Sequence, residues 1–118
     1  MLTSAYVLAW IRALLLTQLV EAPIYRRSLG LAWGRALVPS LVTHPFVWFA
    51  FPRLGELGVP YAAWVAVAEV TVWLAEAAML RALTHPRTSS SRALVVSLAG
   101  NGASLGLGLA ADALFGGI

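Results

Sequence analysis

Four long apolar stretches dominate the sequence and limit the chain to a small set of folds. They run roughly over Leu2–Ile24, Ala36–Phe51, Tyr61–Leu83 and Ala93–Phe115. A helix needs about 20 apolar residues to cross the hydrocarbon core of a bilayer. Charged residues make up 11% of the 118 residues, against about 25% in a soluble domain. The sequence therefore predicts an all-α integral membrane four-helix bundle, in one domain covering residues 1–118.

Three short connections of loop composition separate the apolar stretches, and their arginines orient the chain. The connections are Tyr25–Arg35, Pro52–Pro60 and Thr84–Arg92. The first and third hold most of the arginines, whereas the middle one holds Arg53, offset by Glu56. Cytoplasmic loops of membrane proteins carry an excess of basic residues. We therefore expect a multi-pass protein of the cell (inner) membrane, with both termini extracytoplasmic.

Other classes of protein fit the sequence poorly. A soluble four-helix bundle requires a polar stripe along each helix, and none of the four stretches has one. The net charge of +3 does not indicate nucleic-acid binding, because the arginines are spread over short loops rather than gathered in a patch. The absence of cysteine excludes disulfides and thiolate metal sites. The expected surroundings are the lipid bilayer, with a homo-oligomer or a larger membrane complex as the protein partner.

Two pairs of matching strings, which occur in the same order, indicate an internal repeat. The matching strings are Glu21–Arg26 with Glu76–Arg81, and Arg35–Leu41 with Arg92–Leu98. The first pair reads Glu-Ala-x-apolar-x-Arg and the second reads Arg-Ala-Leu-Val-x-Ser-Leu. The sequence therefore predicts a tandem duplication of a helical hairpin, covering approximately residues 1–51 and 60–115. Two hairpins of the same orientation are related by a pseudo-twofold axis along the membrane normal.

Polar and ionisable residues lie inside the apolar stretches, and such residues are candidate functional sites by default. Depths counted at about 1.5 Å per residue put them near mid-membrane or toward the cytoplasmic side. The predicted proton or cation site consists of Glu21, His44, Glu69, Glu76 and Asn101. The predicted supporting residues are Arg12, Ser40, Thr43, Ser97 and Ser104. Under the repeat, Glu21 corresponds to Glu76, Ser40 to Ser97, and His44 to Asn101.

Structural roles are open alternatives for several of these residues. Arg12 is expected to form an ion pair with Glu69. His44 precedes Pro45, so its alternative role is to restore the helix hydrogen bonding that the proline interrupts. Asn101 and the serines have the alternative role of joining neighbouring helices. Glu76 has no basic partner on its own helix face, which makes a purely structural role hardest to argue for this residue.

A resemblance follows from the motifs in the polar positions. The motifs are Glu21-x-Pro23, Thr43-His44-Pro45, Glu69 to Glu76, and Ser97-x3-Asn101-x2-Ser104. Together they resemble a loose set of small bacterial four-span membrane proteins. The resemblance covers most of the chain and implies the four-span fold, but it implies no activity.

Three classes of function are compatible with the sequence. Paired intramembrane carboxylates with a histidine are typical of proton- or cation-linked transport or conduction, which is the favoured interpretation. An intramembrane divalent-metal site, with ligands drawn from Glu21, His44, Glu69 or Glu76 and a possible hydrolytic water on the metal, is an alternative that no metalloenzyme motif supports. A structural or accessory membrane subunit is the third. An enzyme is the less favoured class, and no cofactor other than that metal is indicated.

Overall fold

Four long helices and one short helix make up the protein in the computed structural model, which describes residues 3–116. The helices are α1 (Ser4–Leu29), α2 (Trp33–Phe49), α3 (Arg53–Glu56), α4 (Tyr61–Thr84) and α5 (Ser90–Phe115). Residues 3–116 contain no strand, so the all-α prediction is confirmed. The first residue of the first predicted stretch, Leu2, lies outside the described residues, as do both ends of the predicted 1–118 domain.

Three of the helices, α1, α4 and α5, are long and apolar enough to cross a membrane, each with a mean hydropathy of 1.5. The remaining long helix, α2, has 17 residues. At about 1.5 Å per residue it extends roughly 25 Å, which is less than the hydrocarbon thickness of about 30 Å. Pro39 and Pro45 both lie inside α2, and each removes one backbone donor from the helix.

The helices extend further into the connections than the sequence predicts. α1 continues past Tyr25 to Leu29 and is closed by Gly30, which has φ 67 and donates its N–H to the Arg26 carbonyl. Glycine adopts this left-handed conformation without a steric penalty. The first connection therefore comprises residues 30–32 rather than Tyr25–Arg35. The short helix α3 lies within the Pro52–Pro60 connection, where no helix was predicted.

The four long helices pack so that α1 and α4 lie on one diagonal of the bundle. α1 packs against α2 and α5, and α4 packs against the same two helices. Side chains at one end of the bundle form an apolar cluster, comprising Ala22, Tyr25, Leu29, Leu31, Ala36, Leu80 and Val96. Aromatic rings pack together near the other end. The ring centroids of Tyr6 and Trp48 are 5.3 Å apart, and those of Trp10 and Phe49 are 5.0 Å apart. The polar side chains lie between these two layers.

Candidate functional site

Two glutamates face each other inside the bundle, one from each helix of the α1–α4 diagonal. Glu21 and Glu76 are each 1% exposed. Each lies about two turns before the end of its helix, so both are at a similar height. An ionised carboxylate taken out of water costs several kcal/mol unless other groups compensate for the lost hydration. The groups around the two carboxyls therefore determine what the pair can do.

Two serine hydroxyls donate to Glu21, one to each carboxyl oxygen. Ser40 of α2 donates to Oε1 at 2.6 Å, and Ser104 of α5 donates to Oε2 at 2.5 Å. Both distances lie at the short end of the range for hydroxyl hydrogen bonds. Glu21 thereby connects α1 to both of its neighbouring helices.

Glu76 has the same pattern with different donors. Tyr25 of α1 donates from its hydroxyl to Oε1 at 2.6 Å, and Thr43 of α2 donates to Oε2 at 2.6 Å. Asn101 of α5 lies 3.4 Å from Oε1 through its Nδ2. Each of the four carboxyl oxygens of the pair therefore accepts one short hydroxyl hydrogen bond. All four long helices contribute to this arrangement.

Tyr25 bridges the two carboxyl groups. Its hydroxyl is 2.6 Å from Glu76 and 3.4 Å from Glu21, and the residue is 0% exposed. The sequence-based assignment of Tyr25 to the first connection is wrong, because α1 continues past it to Leu29 and puts it one turn after Glu21 on the same face. Gly100 of α5 makes room for the ring, since a Cβ there would lie 2.7 Å from a ring carbon.

Two further polar residues of α5 join the network from one side. Asn101 donates from Nδ2 to the Ser97 carbonyl at 2.9 Å and lies 3.4 Å from the Tyr25 hydroxyl. Ser97 donates to the Trp73 carbonyl at 2.8 Å. Ser97 therefore joins α5 to α4 rather than contacting a carboxyl group. Ser40, which stands at the matching position in the similar string of α2, binds Glu21 directly.

A cavity of about 220 Å³ adjoins the carboxyl pair. It extends from Glu21 and Glu76 toward the aromatic end of the bundle, away from the apolar cluster. Its polar lining consists of Thr17, Glu21, Thr43, His44, Glu69, Glu76, Asn101 and Ser104. Its apolar lining includes Val47, Trp48, Val72 and Leu105. Among the described residues, the lining contains three carboxyl groups and no arginine.

His44 and Glu69 lie in the wall of this cavity rather than in the hydrogen-bonded pair. Nε2 of His44 is 3.3 Å from the Thr17 hydroxyl, and the ring stacks on Trp48 at 6.3 Å. Its Nδ1 is buried and has no hydrogen-bond partner within residues 3–116. The proposed repair of the helix at Pro45 is therefore not what this ring does. Glu69 is half-buried.

Most of the predicted site residues are brought together, but Arg12 is not. Its side chain is exposed on the outside of α1, whereas Glu69 lines the cavity inside the bundle. The expected position of Arg12 beside Glu69 is therefore wrong. The sequence interpretation also missed two cavity or network residues, Tyr25 and Thr17. Thr17 and Tyr25 each lie four residues from Glu21, which puts them on the same helix face. This spacing in the sequence predicts that they accompany Glu21.

The carboxyl groups and the histidine do not form a metal centre in this arrangement. Within residues 3–116, no group of three or more His, Asp or Glu side chains is positioned to hold a metal ion. The four predicted ligands, Glu21, His44, Glu69 and Glu76, are spread around the cavity instead. The chemistry available is that of hydroxyl-coordinated carboxylates next to a space that can admit a proton carrier or a cation.

Comparison of the chain with protein-family models, with curated proteins and with solved structures gives no match. Function is therefore inferred from the geometry of the two carboxyl groups and of the cavity beside them.

Proposed function

We propose that this protein spans a bacterial inner membrane four times and carries out proton- or cation-linked transport or conduction through the Glu21–Glu76 pair. The observation that carries the proposal is the environment of the two carboxyls. Every carboxyl oxygen accepts one hydroxyl hydrogen bond, while the adjoining cavity contains no arginine within the described residues. Such a pair is oriented but not charge-compensated, and a proton or a cation entering the cavity supplies the missing positive charge.

Tyr25 provides a way for the two carboxyls to exchange this charge in a coordinated manner. Its hydroxyl has one proton and donates to one carboxyl at a time. The distances of 2.6 Å to Glu76 and 3.4 Å to Glu21 favour Glu76 as the present acceptor. A small ring movement reverses that preference when the charge on the other glutamate changes. Charging of one carboxyl is thereby coupled to the other.

Membrane placement is supported by the surface of the bundle. Large apolar side chains cover its outside, including Leu15, Leu19, Leu109, Leu114 and Phe115, which are 60%, 75%, 62%, 76% and 80% exposed. A soluble protein rarely exposes so much contiguous apolar surface, whereas acyl chains accommodate it. The helix α2 completes the fourth span if the bilayer thins or the following turn enters the interface. The arginine-rich end is then cytoplasmic, and both termini are extracytoplasmic.

The proposed duplication is supported by the pattern of burial. The buried residues of α1 are Glu21, Ala22, Tyr25 and Leu29, and at one constant offset α4 buries Glu76, Ala77, Leu80 and Thr84. The buried residues of α2 are Ala36, Pro39, Ser40 and Thr43, and at one constant offset α5 buries Ala93, Val96, Ser97 and Gly100. Matching burial at these eight pairs fits two hairpins that use the same faces, while Ala68, Val72 and Asn101 are buried only in the second hairpin.

A flux measurement with matched variants tests the proposed transport. Purified protein in liposomes containing a pH-sensitive dye is expected to conduct protons, alone or against a gradient of a monovalent cation. Glu76→Gln and Glu21→Gln keep the shape of the side chain but remove its charge, so each is expected to abolish flux. Glu56→Gln, on exposed α3, serves as the control and should leave flux unchanged. Equal flux in all four proteins, or none in the wild type under any gradient, would contradict the proposal and favour a structural subunit.

A further inference from the structure

A second cleft lies outside the bundle, beside the end of α1 and the beginning of α2. It has a volume of about 580 Å³ and is lined by Pro23, Ile24, Arg26, Arg27 and Trp33. We refer to it as the Arg26–Trp33 cleft. It shares no residue with the cavity at the carboxyl pair, so it has no part in the transport proposed above.

Arg26 is held in place at this cleft by two contacts. Its guanidinium lies over the Trp33 ring, 4.9 Å from the ring centroid, and Nη1 donates to the Leu31 carbonyl at 3.3 Å. A guanidinium has five N–H donors, so most of them remain available for a ligand. Arg27, the next residue, is exposed. The cleft is therefore lined by one arginine whose guanidinium is fixed over Trp33 and by a second, exposed arginine.

The end of the bundle around this cleft carries positive charge that no acidic side chain offsets. Six arginines lie at this end of the bundle: Arg26, Arg27, Arg35, Arg81, Arg87 and Arg92. None of the five acidic residues of the chain is among them. Glu21, Glu69 and Glu76 are inside the bundle, and Glu56 and Asp112 belong to the other end. An anion at the Arg26–Trp33 cleft thus meets attraction without a competing carboxylate.

The cleft also has an apolar part, which distinguishes between anions. Pro23 and Ile24 line it on the side toward the middle of α1, and Trp33 is 52% exposed. A free phosphate ion would use the two guanidiniums and leave these apolar groups in water. A phospholipid carries a phosphate and an acyl chain on one molecule, so it satisfies both parts. Tryptophan is also common at the level of the lipid headgroups.

We infer that the Arg26–Trp33 cleft binds an anionic phospholipid of the cytoplasmic leaflet, with the phosphate on Arg26 and Arg27 and an acyl chain along Pro23 and Ile24. The inference rests on the membrane placement in the proposed function, but it does not depend on transport. Juxtamembrane arginines contribute about 1 kcal/mol each to binding of anionic lipid. Loss of one of the two should therefore weaken binding roughly fivefold.

Native mass spectrometry of the full chain in a neutral detergent tests this inference. The probes are phosphatidylglycerol, phosphatidylcholine of the same acyl chains, and inorganic phosphate. The wild type is expected to retain phosphatidylglycerol in preference to phosphatidylcholine. Arg27→Gln should weaken binding of phosphatidylglycerol roughly fivefold. The double variant Arg27→Gln/Trp33→Leu should bind it more weakly still. Arg53→Gln, an exposed arginine at the opposite end, should bind as the wild type does.

Three results would overturn the inference. One is equal retention of the two phospholipids, and another is equal loss in the Arg27→Gln and Arg53→Gln variants. The third is complete displacement of phosphatidylglycerol by an equal concentration of phosphate. Circular dichroism establishes that each variant is folded. Arg26→Lys is a second variant at this cleft, which keeps the positive charge of the side chain but loses the planar guanidinium. Flotation with phosphatidylcholine vesicles separates failure of this lipid site from failure of the membrane placement.

Discussion

At the scale of single residues, the hydroxyl of Tyr25 has the largest consequence for the site. It touches both carboxyl groups, although the residue belongs to the same helix as one of them. Leaving a buried acceptor without its donor costs about 1–3 kcal/mol, and more when the acceptor is charged. The pair is therefore expected to depend on Tyr25 for stability as well as for the proposed coupling.

Tyr25→Phe is expected to keep the fold and to lower the free energy of unfolding by about 1–3 kcal/mol, because Glu76 Oε1 loses its short donor. Denaturant unfolding in micelles, followed by tryptophan fluorescence, measures this change. Tyr61→Phe is the control, since Tyr61 is 72% exposed and should change stability little. A Tyr25→Phe variant as stable as the wild type would mean that the hydroxyl is replaced by water.

Gly100→Ala is expected to destabilise the protein, because the added Cβ would lie 2.7 Å from a carbon of the Tyr25 ring. Overpacking of this kind typically costs about 1–3 kcal/mol. Gly102→Ala is a matched control on the same helix, where a Cβ meets nothing within 4 Å. That control should be neutral or stabilising, since alanine favours the helix by up to about 1 kcal/mol over glycine. Thermal unfolding of both variants measures the difference, and equal melting temperatures would contradict the packing described here.

Part of the site was predictable from the sequence, and the rest depended on the path of one helix. Charged residues in apolar stretches identified Glu21 and Glu76, since burial of such groups is rarely accidental in a membrane. The position of Tyr25 was missed because its flanking arginines indicated a loop, whereas α1 continues to Leu29. Arg12 was assigned to the site by depth alone, and depth does not give the direction in which a side chain points.

At the scale of helices, two serines that occupy matching positions in the two similar strings Arg35–Leu41 and Arg92–Leu98 make different contacts. Ser40 of α2 donates to Glu21, whereas Ser97 of α5 donates to the Trp73 carbonyl of α4. Trp73 in turn donates from Nε1 to the Leu94 carbonyl at 2.8 Å. Ser97 thus joins α5 to α4 through a backbone carbonyl, whereas Ser40 joins α2 to α1 through a carboxyl group, beside the bond from Gln18 of α1 to the Leu37 carbonyl of α2.

Ser40→Ala and Ser97→Ala should therefore separate stability from activity. Each removes one interhelical hydrogen bond, so each is expected to lower the free energy of unfolding by about 0.5–3 kcal/mol. Only Ser40→Ala removes a donor from a carboxyl of the pair, so only this variant should also alter proton flux in liposomes. If Ser97→Ala changes flux as much as Ser40→Ala does, the two serines act on the site equally.

The number of long helices was predictable from apolar length, but not all of their ends were, and the short helix α3 was not. α4 ends at Thr84, where the predicted third connection begins, and His85 after it precedes Pro86, a position that disfavours helix. α1 and α2 instead run into the predicted loop and leave residues 30–32 between them. Composition alone did not show this, since arginines suit both a loop and the last turn of a helix.

At the scale of the whole molecule, charge is distributed unevenly between the two ends. The end formed by residues 26–35 and 81–92 carries six of the eight basic residues. Two of those arginines also close the bundle there, with Arg92 donating to the Ser28 carbonyl at 2.6 Å and Arg35 to the Leu83 carbonyl at 3.3 Å. This end should stay on the cytoplasmic side.

Reporter fusions test that orientation. Fusions at the C-terminus and within Pro52–Pro60 are expected to be active as extracytoplasmic reporters, and a fusion near Ser90 as a cytoplasmic one. Replacing Arg26, Arg27 and Arg35 by glutamine should weaken the preference, because the basic residues of short loops set it. A cytoplasmic C-terminus in the wild type would reverse the orientation, and a cytoplasmic Pro52–Pro60 would contradict the fourth span.

Infrared difference spectroscopy of the protein in liposomes tests the central claim most directly, because it observes the carboxyl groups themselves. We propose that Glu21 and Glu76 form one centre that exchanges protons or cations, rather than a hydrogen-bonded pair that only holds the helices together. The protein is titrated from acid to alkaline buffer, once with and once without a monovalent cation. In both titrations the wild type is expected to show a carboxyl band that changes. That change should be lost in Glu76→Gln and kept in Glu56→Gln. A wild-type spectrum in which no buried carboxyl responds to protons or cations would contradict the claim.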